Sequence, residues 1–304
     1  MSGLLGIWFS RVMILVTGAG GYLGGRVVEE CKRNNIPVIG IYSKDRKNER
    51  ACDLLNPNDV KYLLDDITPK RIIHCAASVP KITKDNIEGG YQDKKSAKDN
   101  YQMTLNLVNN AKCPIVFTSS MTVYDKGSDE LDRPVQEKDA NIAPTNSEYA
   151  LGKWLTECML EEKSQYGVVV LRLPGLFGMP RFDGVMYNAA KAFILGKSFT
   201  LNEPLPLWST MEVGDAARAC IKTAQVKYFP RYKVVNVGYN GKFSIDYAIS
   251  LIAEICNTSW KCEIVNIPVF EMDLNAYKKF LKIDSIDFKN RVRCFIQEIK
   301  SEIL

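Results

Sequence analysis

The chain has 304 residues, 46% hydrophobic and 25% charged, the composition of a globular protein with a sizeable core. Its net charge of +5 is spread along the chain, enough to suit an anionic ligand and too weak to indicate a nucleic-acid partner. Nine cysteines without C-x-x-C pairs argue against a disulfide framework and for reduced thiols in the cytoplasm; a single histidine, His74, excludes a multi-histidine metal site; and no run of 18 apolar residues marks a membrane span.

Residues 1–10 are apolar but short and lack a basic start, so they make a poor signal peptide and are expected to lie ahead of the fold. The run VMILV over residues 12–16 reads as a strand buried on both faces, followed by a glycine-rich turn and a helix over 22–34. A second strand is expected over 37–42, a helix over 56–65 behind an Asn-Pro cap signal, and a strand over 71–76. A polar stretch over 81–98 leads into a helix ending near 111. Then come a strand at 114–119, a helix over 148–166 and a strand at 168–173. Beyond Pro174 the pattern loosens. Helices are expected near 185–195, 214–225 and 244–256, a short strand at 234–237 and a helical tail from about 274. Strands alternating with helices predict an α/β fold with a parallel sheet.

Residues 17–24 read TGAGGYLG between a predicted strand and a predicted helix. Gly18 permits the tight turn, Gly21 lets the backbone approach a pyrophosphate, and Gly24 lets the helix pack on the strand. Tyr22 and Leu23 open the helix, whose amides face the phosphates. The fold class is therefore a Rossmann doubly wound parallel sheet over residues 12–173. A smaller C-terminal substrate-binding lobe over 174–304 is expected to return in part to the sheet and to cover its carboxyl ends. The NAD discriminator is an acidic residue closing the second strand, but here Tyr42 and Ser43 are followed by Lys44, Asp45 and Arg46. Ser43, Lys44 and Arg46 suit a 2′-phosphate, so the cofactor is read as NAD(P), leaning to NADP; a displaced Asp45 would leave NAD.

Residues 147–153 read SEYALGK. The four-residue spacing places Tyr149 and Lys153 on one helix face. A phenol is a poor acid–base group at neutral pH, and a lysine cation beside it, together with the charge of an oxidised nicotinamide, favours its phenolate. Tyr149 then exchanges a proton with a substrate hydroxyl or carbonyl as hydride moves. The segment FTSSMTVY over 117–124 ends a predicted strand, and a serine there hydrogen-bonds the substrate oxygen. Ser120 is the choice, with Ser119 the alternative.

Taken together these segments resemble the extended short-chain dehydrogenases/reductases, the branch of nucleotide-sugar epimerases, dehydratases and reductases, over roughly residues 12–256. Asp53 and Leu54 resemble the pair that contacts the adenine ring. The sequence HCAA resembles the strand end beside the cofactor's ribose and nicotinamide, with Ala76 and Ala77 as contacts and His74 a strand-end residue rather than a catalytic base. Asn100 resembles the family's structural asparagine, SSMTVY aligns the catalytic serine with Ser120, and RLPGLFG from Arg172 and VGDAA from Val213 match two further segments. The resemblance implies a homodimer paired through helices near 95–111 and 148–166.

The family's dehydratases resemble one another in carrying Thr-Asp-Glu where this chain has Ser120, Met121 and Thr122, so dehydration lacks its carboxylates. Epimerisation beside a ketone asks for a further Cys or His; the lack of a second histidine disfavours it, and a role for one of the cysteines stays open. What remains is hydride chemistry on a nucleotide-linked sugar, by a 4-epimerase or a 4-keto reductase, serving surface polysaccharide synthesis. Trp208 stands where epimerases resemble one another in an Arg for the diphosphate. Arg181, Lys191 and Lys197 are the candidate replacements, a solvated basic face being the other reading. With the apolar run 204–208, Trp208 leaves open a reductase of a small non-sugar aldehyde or ketone. A third reading is a non-catalytic dinucleotide-sensing protein, which the presence of Tyr149 and Lys153 disfavours.

Overall fold

A computed structural model describes residues 12–44, 49–78, 90–126, 128–201, 208–264, 269–282 and 287–303. The expected extension over 1–10, the candidate cofactor residue Arg46 with Asp45, residues 81–89 of the stretch 81–98 and the run 204–207 lie outside them.

The apolar runs form strands and the amphipathic stretches form helices between them. Strand β1 (Ile14–Thr17) is buried throughout and leads into α1 (Tyr22–Arg33) and β2 (Val38–Tyr42). After the two-residue β3 (Arg50–Ala51), Asn56 caps α2 (Pro57–Ile67) by accepting from the Asn58 amide at 3.0 Å, with Pro57 in the first turn, where a missing N–H costs nothing. Then follow β4 (Arg71–His74), α3 (Lys94–Asn110), β5 (Ile115–Ser120), α4 (Glu148–Lys163) and β6 (Val168–Leu173). The remaining elements are β7 (Gly175–Phe177), α5 (Val185–Ile194), β8 (Thr210–Glu212), α6 (Val213–Ala224), β9 (Tyr232–Asn236), α7 (Ile245–Ile255), α8 (Asn275–Leu281) and α9 (Phe288–Ile303).

Among the described residues the main sheet has seven strands in the order β3-β2-β1-β4-β5-β6-β9. The β1 pairings to β2 and β4, and those of β2 to β3 and β4 to β5, are parallel. The chain steps outward from β1 to β2 and β3, then returns to place β4 on the other side of β1. The crevice at the carboxyl ends of β1 and β4 is thus the switch point where open α/β sheets bind ligands. One side of the sheet is sealed by a core that includes Leu15, Leu64, Ile72, Leu107, Phe117 and Leu160.

The chain divides into two compact units. The first comprises the described residues of Met1–Asp125, Lys138–Arg172 and Ala217–Val235. The second comprises those of Lys126–Glu137, Leu173–Ala216 and Asn236–Leu304. The return to the sheet is therefore the later part of α6 and most of β9. Lys126–Glu137 joins the second unit from within the first half of the chain: the Val135 amide donates to the Glu271 carbonyl at 2.8 Å and Asn236 Nδ2 donates to the Val135 carbonyl at 3.0 Å. The second unit contains the β7–β8 pair and an aromatic cluster in which Phe288 meets Phe243 at 5.0 Å and Phe295 meets Phe177 at 5.2 Å. Asp215 accepts from Arg291 Nε at 2.7 Å and from the Tyr239 hydroxyl at 2.6 Å, fixing α9 to the start of α6. All nine cysteines are free, and among the described residues no helix is long and apolar enough to cross a membrane.

Candidate active site

At the end of β1 the chain turns at Gly18 with φ +71°, where a Cβ would lie 2.7 Å from the Ala76 amide nitrogen. A Cβ on Gly24 would lie 2.2 Å from the Gly18 carbonyl oxygen, so only glycine lets α1 start this close to the strand. Gly21 is the exposed residue at the head of α1 and, having no side chain, leaves the helix end without a side-chain cap. The first turn, including the half-buried Tyr22 and Leu23, carries no acidic residue, whereas the last turn carries Lys32 and Arg33. This bare positive helix end beside a close-packed glycine turn fits a pyrophosphate.

Other dinucleotide candidates are held by α3. Asn106 Nδ2 donates to the Leu54 carbonyl at 2.9 Å and to the Leu55 carbonyl at 3.0 Å, while Asp53 accepts from the Leu55 amide at 3.0 Å. The exposed Asp53 and buried Leu54 are thereby fixed in one turn. Asn100 accepts from the Ser78 amide at 2.6 Å and donates to the Ser78 carbonyl at 2.9 Å, fixing the chain just past Ala76 and Ala77. Ser43 and Lys44 are exposed beyond β2.

His74 is buried between Thr17 Oγ1 at 2.6 Å from Nδ1 and Thr104 Oγ1 at 2.9 Å from Nε2. Thr104 donates its hydroxyl proton to the Asn100 carbonyl at 3.0 Å, so it accepts from His74 Nε2–H, and the Thr17 hydroxyl donates to Nδ1. Burial, with the nearby Lys153 charge, pushes the imidazole down to about 3 from 6.5. His74 is thus a neutral tie between β1, β4 and α3, with neither nitrogen left for a substrate. The ring resonances of this only histidine are expected to stay constant through pH 6.5 and to move only toward about 3. Because the folded state disfavours the proton, the stability His74 contributes is present above 6.5 and is lost as pH falls toward 3. A urea titration across that window reads the loss, and an NMR titration near 6.5 would contradict the assignment.

Tyr149 and Lys153 lie on α4, which Ser147 caps by accepting from the Ala150 amide at 3.1 Å. Buried Lys153 donates from Nζ to the Thr118 carbonyl at 2.8 Å and lies 4.6 Å from the Phe117 ring centre, both on β5. Its Nζ is 5.8 Å from the Tyr149 ring centre. Asn146, just before the helix, donates to the Thr122 carbonyl at 3.0 Å and to the Tyr124 carbonyl at 3.2 Å. The helix carrying Tyr149 is therefore joined at two points to the strand end and turn carrying Ser120.

Burial raises the Tyr149 phenol, and the Tyr91 ring, 5.0 Å away between ring centres, adds to the rise. Burial also lowers Lys153 to about 8, against the smaller opposing influence of Cys75 and Glu157. In the protein on its own, burial of the phenol outweighs the cation held on the Thr118 carbonyl.

The two serines separate clearly. Buried Ser119 donates its hydroxyl to Glu157 Oε1. Glu157 lies one turn beyond Lys153 and is paired with Arg172, whose Nη2 is 2.6 Å from Oε2 and whose Nη1 donates to the Tyr124 hydroxyl at 3.0 Å. Ser119 is committed to this buried network. Ser120 is half-buried, and its Oγ accepts from the Thr122 amide at 3.2 Å and the Thr122 hydroxyl at 3.0 Å. Sequence reasoning passed over Glu157 and Thr122. The signal for Glu157 was a carboxylate in helical register with Tyr149 and Lys153 on a face too apolar to leave it unpaired.

The three candidate substrate cations belong to the second unit and are exposed. Arg181 Nε pairs with Asp183, Lys191 lies 5.7 Å from the Tyr187 ring centre, and Lys197 lies beyond α5. Trp208 in the same unit is buried.

The model of the NAD dependent epimerase/dehydratase family matches residues 14–238. Among curated proteins, the methionine adenosyltransferase 2 subunit beta of Pongo abelii is 31% identical over 169 residues, 54% of this chain and 47% of that protein. That of Xenopus tropicalis is 33% identical over 168 residues, with the same shares of each chain. The chain spans about half the length of the curated relatives it matches. The fold is similar to that of the Thermotoga maritima UDP-glucose 4-epimerase solved with UDP-glucose, with a TM-score of 0.77 at 19% identity over 96% of this chain and all of that one. It is also similar to the Bacillus cereus UDP-N-acetylglucosamine 4-epimerase, with a TM-score of 0.75 at 20% identity over 96% of each chain.

Proposed function

Because the chain belongs to the NAD-dependent epimerase/dehydratase family, we propose that it oxidises or reduces one hydroxyl or keto carbon of a nucleotide-linked sugar, as a 4-epimerase or a 4-keto reductase. The observation that carries this reading is the joining of Tyr149 and Lys153 on one helix to the β5 end bearing Ser120, in the same unit as the Gly18–Gly21–Gly24 turn. A nicotinamide dinucleotide fits that turn, and when bound it supplies the hydride donor or acceptor and, if oxidised, a positive charge. Gly18, Gly21, Tyr22, Leu23 and Gly24 would hold its pyrophosphate, Asp53 and Leu54 its adenine side, and Ala76, Ala77, Tyr149 and Lys153 its nicotinamide half.

Ser120 donates to the substrate oxygen, orienting it and favouring negative charge on it. Tyr149 takes the hydroxyl proton in oxidation and returns it in reduction. Lys153 places a cation near the phenol and so favours the phenolate once the second charge is present. Arg181, Lys191 and Lys197 are proposed to meet the anionic part of the substrate, and Ser43 and Lys44, with Arg46, to meet a 2′-phosphate. The protein is read as cytoplasmic and homodimeric through α3 and α4, which pack on each other and leave Leu155 exposed.

Incubation with UDP-glucose, UDP-galactose, their N-acetyl forms and 4-keto sugars, followed by mass spectrometry and NMR, tests the reading. Inversion or reduction at carbon 4 is expected, and no turnover of any of them would sink it. In direct titrations NADPH is expected to bind more tightly than NADH, and the reverse order would remove the NADP preference. The likeness to proteins named as a subunit favours a second reading, in which the chain binds a dinucleotide and serves another protein. Turnover by the isolated chain separates the two.

A further inference from the structure

A hydroxyl oxygen offers two acceptor sites and one proton. At Ser120 both acceptor sites are taken by one residue: the Thr122 amide donates at 3.2 Å and the Thr122 hydroxyl at 3.0 Å. We propose that Thr122 is a positioning residue that turns the Ser120 hydroxyl into a dedicated hydrogen-bond donor. With its lone pairs occupied, Ser120 donates to a carbonyl or alkoxide oxygen and does not accept from a substrate hydroxyl. That sorts the labour between the two groups: Tyr149 receives the proton, and Ser120 stabilises the charge left behind.

Thr122 is itself held from both sides. Its carbonyl accepts from Asn146 Nδ2 at 3.0 Å, which fixes it to the segment leading into the Tyr149 helix. On the other side Ser119 is anchored through Glu157 to Arg172, so the backbone entering Ser120 does not rotate freely. The hydroxyl direction is thus set by a short turn clamped at each end, which is what a preorganised donor requires. The inference rests on Ser120 facing the substrate, and its tests are chosen to fail separately from that reading.

Thr122→Val keeps the shape and the amide and removes only the hydroxyl. With UDP-glucose or UDP-galactose, it is expected to lower kcat about tenfold, part of the ~10²–10³-fold typical for loss of a whole donor, with KM and cofactor affinity unchanged. Thr122→Ser is expected to recover wild-type kcat. In a Ser120→Ala background, Thr122→Val should change kcat by less than about twofold, because coupled residues give non-additive effects. Additive losses, or a wild-type kcat in Thr122→Val, would overturn the inference while leaving the proposed reaction standing. Neutron diffraction from deuterated crystals reads the same point without any substrate. The Ser120 deuteron is expected to point away from Thr122, and a deuteron donated to Thr122 Oγ1 would overturn the inference whatever the substrate proves to be.

Discussion

Tyr149→Phe is expected to lower turnover by roughly 10²- to 10⁴-fold, the usual worth of one acid–base group, while the dissociation constant for the cofactor stays nearly unchanged. The substitution deletes one oxygen, keeps the ring beside Tyr91 and leaves Lys153 on the Thr118 carbonyl. The glycine turn, Asp53 and the clamped strand end are proposed to carry most of the binding, and the ring that Tyr149 would set beside the nicotinamide half is kept, so loss of its oxygen is expected to cost little affinity. Stopped-assay kinetics and a cofactor titration on the same preparation check both halves. A wild-type rate removes Tyr149 from catalysis, and a parallel loss of cofactor affinity makes the residue a binding group. Burial raises the Tyr149 phenol in the protein on its own, and the substitution removes the only oxygen of that side chain.

Arg172→Met is expected to cost about 3–5 kcal/mol of stability, the range for stranding one half of a buried ion pair. The pair is 4% and 3% exposed, and Glu157 would keep only the Ser119 hydroxyl among its described side-chain partners. Burial works against the Arg172 charge, but the carboxylate and the Tyr124 hydroxyl outweigh it and hold the guanidinium charged. Replacing both partners, as Glu157→Leu with Arg172→Met, is expected to restore a large part of the loss, because two apolar side chains strand no charge. Urea denaturation of the three variants measures this. A single variant as stable as wild type would show that water reaches Glu157 when its partner is removed.

The parts of the fold that were legible are those where the chain repeats one physical solution several times. A continuous apolar run such as Ile14–Thr17 must be buried on both faces, and the glycines after it leave little choice of turn. Strands β3, β7 and β8 have two or three residues each, too few to show any period. Lys126–Glu137 joins the second unit through contacts with residues more than a hundred positions away, and no local pattern announces such pairing. In the proposed site, residue types and spacing singled out Tyr149, Lys153 and Ser120, because the proposed chemistry demands them together. Spacing could not show that Lys153 donates one hydrogen bond to the Thr118 carbonyl, nor that burial dominates at the phenol, since both depend on where β5 places its backbone. One cation inside the buried run VVVLRL, Arg172, has to find an anion, and Glu157 supplies it from a neighbouring helix that no local pattern links to the strand.

The most direct test loads the protein with oxidised dinucleotide, mixes it with UDP-glucose in a stopped-flow instrument and follows the near-ultraviolet absorbance of the nicotinamide reduced by hydride from the sugar carbon. If the reading of Tyr149 is right, the signal rises in the wild-type protein and stays flat in Tyr149→Phe at equal cofactor occupancy. Equal signals in the two proteins would contradict it.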